Sequence, residues 1–92
     1  MGIMMTPIEE CICRAPFDRK SMAIIKIYKD YADIQFYRKP VAEHDEPKIL
    51  PTCKAKVFRA GLVVRQDAQL VSDRLMELAV CATQRKIRRW AA

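Results

Sequence analysis

The chain has 92 residues, enough for one domain with a single small core. Hydrophobic residues make up 51% and charged residues 30%, which excludes wholesale disorder. Seventeen Lys and Arg against eleven Asp and Glu give a formal charge of +6, a balance that favours anionic partners or, more simply, a solvated basic surface.

Thr6-Pro7-Ile8-Glu9 predicts the start of a short helix: Thr6 caps it, Pro7 suits its first position, and Glu9 completes a capping box. Ile8, Cys11 and Ile12 fall at helical spacing, and Pro16 ends the helix near Arg14. A hairpin follows. Ser21–Tyr28 and Asp33–Lys39 are rich in β-branched and aromatic residues, with Lys29–Ala32 as the turn. From Pro40 to Pro51, three prolines and the acidic run Glu43-His44-Asp45-Glu46 read as a flexible loop within the single domain 1–92. A third strand, Thr52–Arg59, ends near Gly61. Leu62-Val63-Val64 either continues it after a bulge or forms a fourth.

The remainder reads as one long helix from Asp67 to Trp90. Val71, Leu75, Leu78 and Ala82 form one apolar line, and Met76, Val80, Thr83, Ile87 and Trp90 a second. An arc this wide exceeds what one sheet face requires. The second line therefore covers the N-terminal helix, another part of the chain, or a partner subunit, and packing within the chain is the expectation. The fold class is α+β: a three- or four-stranded antiparallel sheet with a short N-terminal and a long C-terminal helix packed on one face.

Successive strand side chains point to opposite faces. In the three strands Lys26 and Tyr28, then Tyr37 and Lys39, then Lys54, Lys56 and Phe58 share one face, while Ile25, Ile27, Ile34, Phe36, Ala55 and Val57 occupy the other. Lysines neutralise phosphates and rings stack on bases, so this stripe has the chemistry of a nucleic-acid or ribonucleoprotein contact. The same pattern also serves a solvated face stabilised by cross-strand pairs, and Phe58 turns inward if the third strand is bulged. A second cluster, Arg85, Lys86, Arg88 and Arg89 with Trp90, complements the helix dipole and equally suits a phosphate backbone or an acidic groove. Arg59 and Arg65 flank the strand-to-helix connection and extend either surface.

No catalytic motif is legible. His44 is the one histidine, no glycine-rich phosphate loop exists, and the aspartates match no metal-binding spacing. Cys11, Cys13, Cys53 and Cys81 lack zinc-site spacing and read as reduced thiols. The expectation is no enzyme, no metal and no cofactor. A His-dependent ribonuclease is the residual enzymatic alternative. No run reaches the roughly 18 apolar residues of a membrane span and no signal peptide is recognisable, so a soluble intracellular protein is expected.

Taken whole, in its length, its opening Met-Thr-Pro-Ile-Glu-Glu-Cys (Met5–Cys11) and its Arg- and Trp-containing end, the chain resembles small phage anti-CRISPR proteins that act on type I-F surveillance complexes. The resemblance implies a stoichiometric inhibitor in the cytoplasm of an infected bacterial host. Its partners would be Cas proteins with their guide RNA, and it would block target DNA hybridisation or access. The basic charge argues against DNA mimicry and for contact with guide RNA or acidic Cas patches. The alternative is a small basic nucleic-acid-binding regulator, dimeric through the Met76–Ile87 helix line.

Overall fold

A computed structural model describes residues 6–16, 18–38 and 48–91, without the side chains of 18–19, 48–52 and 90–91. Five antiparallel strands form one sheet in the order of the sequence: β1 (Glu9–Ala15), β2 (Asp18–Ile27), β3 (Tyr31–Arg38), β4 (Lys48–Phe58) and β5 (Val63–Gln66). A 3-10 turn at Ala68–Leu70 leads into one helix, α1 (Asp73–Ala91), which crosses a single face of the sheet.

The expected N-terminal helix is absent, and its residues form β1 instead. Cys11, Cys13 and Ala15 alternate with exposed Glu10, Ile12 and Arg14, a period of two that suits a strand beside β2. Pairing of Cys11 with Ile25 and Cys13 with Ala23 carries the half-buried thiols onto the core. This tertiary gain outweighs a capping pattern that rests on local hydrogen bonds alone.

The β2–β3 hairpin closes on two residues, Lys29 and Asp30, with the Tyr28 N–H donating to the Tyr31 carbonyl at 2.8 Å. Tyr31 therefore belongs to the strand and not to the turn. β4 begins at Lys48, so residues 48–51 of the expected loop are strand, while Lys39 and residues 40–47 lie outside the described residues. Pro51 is tolerated because it falls where the β3–β4 register shifts, between the Tyr37–Ile49 and Gln35–Lys54 pairs. Gln35 mends that irregularity: its Nε2 donates to the Cys53 carbonyl at 3.0 Å and to the Phe36 carbonyl at 3.2 Å.

Val63–Gln66 is a separate fifth strand, reached through a tight turn in which Gly61 takes a φ of 108°. That conformation excludes most side chains and explains the glycine. α1 starts six residues later than expected, because Asp67 adopts left-handed φ 53° and Val71 is extended. Ser72 supplies the cap, its Oγ accepting the Leu75 N–H at 3.2 Å.

Ala23, Ile25, Ile27, Ala32, Ile34, Phe36, Cys53, Ala55 and Val57 meet Leu75, Met76, Ala79, Val80 and Ile87 in one core. Thr83 is fully buried among them and returns its hydroxyl to the Ala79 carbonyl at 2.7 Å. Both apolar lines of the helix are thus used within the chain, with Leu78 and Ala82 half-buried at the margin. Met76, Val80, Thr83 and Ile87 are buried against the sheet, so that line is not available for the dimer it suggested. Among the described residues no helix is long and apolar enough to cross a membrane.

Candidate nucleic-acid interface

With α1 on one side, the other face of the sheet stays uncovered by any described element. Register arranges its side chains in rows that run across the strands. Tyr28, Tyr31 and Phe58 form the first: the two tyrosine rings stack at 5.0 Å between centroids, and Tyr31 and Phe58 are tilted at 6.2 Å. The next row alternates in charge, Glu10–Lys26–Asp33–Lys56, and ends on Val64. The third is Ile12–Ile24–Gln35–Lys54–Gln66. Tyr37 and Met22 stand beyond it, with Arg14 at the edge.

Lys26, Tyr28, Tyr37, Lys54, Lys56 and Phe58 all line one open depression of about 640 Å³. Phe58 does not turn inward, because the irregularity in β4 lies upstream of Lys54 and leaves the alternation from Cys53 to Phe58 intact. Lys39 lies outside the described residues. Several residues on this face escaped the sequence reading, among them Tyr31, Asp33 and Ile12. Tyr31 was hidden in the presumed turn, and its signal is that a two-residue turn would place it opposite Phe58. Asp33 shares the parity of Gln35 and Tyr37 and faces both Lys26 and Lys56. Ile12 joined the face only once β1 was a strand.

The lysines are not equivalent. Lys56 sits 3.8 Å from the Asp33 carboxylate and 4.7 Å from the Tyr31 ring centre, so its charge is partly neutralised and its position held. At that exposure the ion pair contributes only about 0–1 kcal/mol. Lys26 and Lys54 are exposed and make no ion pair among the described residues.

The remaining predicted cations sit elsewhere. Arg65 has the parity of Ala55 and projects to the helix side of the sheet's edge. Arg85, Arg88 and Arg89 are exposed on α1, behind the sheet. Lys86 is engaged with Glu9 at 2.9 Å and ties α1 to β1. Trp90 is among the residues whose side chains are not described. Arg59 and Arg88 line a smaller cleft of about 220 Å³ beside Gln84 and Gly61, and Phe58 lines both depressions. The two predicted clusters are therefore two surfaces that meet only near Phe58.

Among the described residues no group of three His, Cys, Asp or Glu could hold a metal, and His44 lies outside them. Burial pushes the thiols of Cys11, Cys13 and Cys53 above their ordinary range, the opposite of what a nucleophile requires. No protein family, curated protein or solved structure matches the chain.

Proposed function

We propose that this chain is a non-enzymatic inhibitor that binds a ribonucleoprotein through its uncovered sheet face. The single observation carrying the reading is the Tyr28–Tyr31–Phe58 row with Lys26, Lys54 and Lys56 beside it. Rings in such a row offer stacking planes to unpaired bases while the adjacent ammonium groups follow the phosphates. Single-stranded RNA is the favoured ligand, because an open, laterally extended face suits splayed bases better than a duplex groove.

The setting follows from the resemblance to phage anti-CRISPR proteins. The RNA is then the guide of a host CRISPR–Cas surveillance complex in an infected bacterium, and occupancy would block target DNA hybridisation or access. Cas subunits would supply the rest of the contact, with Arg85, Arg88 and Arg89 suited to an acidic patch.

The test is affinity for the guide-loaded complex and for a naked single-stranded oligonucleotide, each across a salt series. Tyr31→Ala is expected to cost about 1–3 kcal/mol of binding. Lys54→Ala is expected to flatten the salt slope by about 0.7. Asp33→Asn is expected to tighten binding, since it frees Lys56. Unchanged affinity of the Lys26→Glu, Lys54→Glu, Lys56→Glu triple variant for the complex would remove this face from the mechanism. Equal affinity for naked oligonucleotide and complex would replace the inhibitor reading by a general nucleic-acid-binding regulator.

A further inference from the structure

The two edges of the sheet are built differently. β5 is four residues long, has exposed Arg65 at its centre, and stops at the left-handed Asp67. Short length, charge and an abrupt turn are the usual defences of a free edge. β1 runs for seven residues, Glu9–Ala15, paired on one side with β2 and unpaired on the other among the described residues. From Glu9 to Arg14 its register to β2 is regular, with the only shift after Arg14. It has neither lysine nor proline, and its central side chain is an isoleucine 54% exposed. Such an edge is a template for another strand.

Its sequence specifies which strand fits. On the uncovered face β1 presents Glu10, Ile12 and Arg14 in that order. A second copy of β1, run antiparallel and centred on Ile12, sets Glu10 against the second copy's Arg14 and Arg14 against the second copy's Glu10. The two Ile12 side chains then meet on the axis. Among the described residues neither Glu10 nor Arg14 makes an ion pair, whereas Glu9 is already engaged with Lys86 on the opposite face. The arrangement satisfies both charges and buries the exposed isoleucine. A register slipped by two residues sets Glu10 or Arg14 against Ile12, and one slipped by four sets Glu10 against itself or Arg14 against itself.

We propose that β1 pairs with β1 of a second copy in this register, joining two sheets into one through an isologous edge contact. The axis of such an antiparallel pair stands normal to the sheet. Both uncovered faces therefore look the same way, and both helices lie on the other side. Cross-strand pairs of opposite charge favour this register and like charges oppose it. The inference rests on β1 alone and stands whatever the sheet face binds.

Sedimentation equilibrium of the full chain at rising concentration tests it. The wild type is expected to reach twice the monomer mass at high micromolar concentration. Glu10→Arg sets arginine against arginine twice per dimer, and Arg14→Glu sets carboxylate against carboxylate. Each is expected to raise the dimer Kd by about tenfold or more. The double variant Glu10→Arg, Arg14→Glu restores opposite pairs and is expected to recover the dimer. Both positions changed are exposed in the single chain, and far-ultraviolet circular dichroism verifies that each variant is folded. A wild type that stays monomeric overturns the proposal. So does a dimer indifferent to Glu10→Arg, which assigns association to another surface, or a double variant that fails to recover.

Discussion

Lys86 Nζ donates to Glu9 Oε1 at 2.9 Å, a bond between residues 77 apart that pins the second half of α1 to the edge strand. Neither partner is fully exposed, the side chains retaining 27% and 32% of their accessibility.

That hydrogen bond to Glu9 raises the Lys86 pKa above the ordinary lysine range. A base held more tightly when folded contributes stability while it is protonated, and loses that contribution as pH rises through its folded value. Lys86→Met is therefore expected to lower the midpoint of urea unfolding at neutral pH. The gap between variant and wild type should narrow in strongly alkaline buffer. A gap independent of pH would assign the effect to packing of the lysine stem.

Phe36 has no accessible surface and sits opposite the register shift in β4, with its carbonyl held by Gln35. Phe36→Ala should cost about 3–5 kcal/mol by leaving a cavity under α1. In a domain of this size that is a large part of the total. Gln35→Ala, which removes the side-chain bonds to the Cys53 and Phe36 carbonyls but opens no core cavity, should cost about 1 kcal/mol. Denaturant titrations of both variants check the order; equal losses would mean that the irregularity, and not the core, limits stability.

The hairpin was legible because Ala23, Ile25, Ile27 and Ile34, Phe36 alternate with polar residues, and alternation is a local signal of a half-covered sheet. The long helix was legible for the same reason at its own period, although its start was not. Ser72, a single capping side chain, decides that boundary against an apolar Val71 that packs on the core from an extended backbone. β1 was misread because Thr6-Pro7-Ile8-Glu9 carries helix-start chemistry, while the alternation of Cys11, Cys13 and Ala15 gains meaning only beside β2. The lysine and aromatic face was readable from parity, and Asp33, inside the expected strand, follows from the same rule; Tyr31 and Ile12 were not readable, since one depended on a turn length and the other on a strand that pairing defines.

Gly61 and Asp67 bracket β5 with the two left-handed residues of the described chain. A Cβ at Gly61 would meet nothing within 4 Å, so the cost of Gly61→Ala is backbone strain alone, about 1–2 kcal/mol. Asp67→Gly should stay within about 1 kcal/mol of wild type, relief of strain being offset by the freer unfolded chain. Thermal unfolding of the pair checks the asymmetry. A harmless Gly61→Ala would mean that the turn readily adopts another conformation.

Cys81 is exposed on the outer side of α1, Cys11 and Cys13 are half-buried, and Cys53 is inaccessible. Burial raises the pKa of the last three, so at mildly alkaline pH they hold less thiolate than an ordinary cysteine. Timed alkylation read by mass spectrometry should modify Cys81 first and Cys53 only on unfolding. Early labelling of Cys53 would place β4 and the 3-10 turn among the first segments to open.

The strands lie side by side in the order in which they are made. Each hairpin can close against its predecessor as the chain leaves the ribosome, with short loops and little entropy to overcome. The helix follows all five strands, and until it emerges the apolar side of the sheet is wet. Docking of the helix then covers Ile25, Ile34, Phe36 and Val57 together in one event. A pause or truncation before residue 73 would leave a sticky intermediate, the kind that chaperones hold and proteases clear.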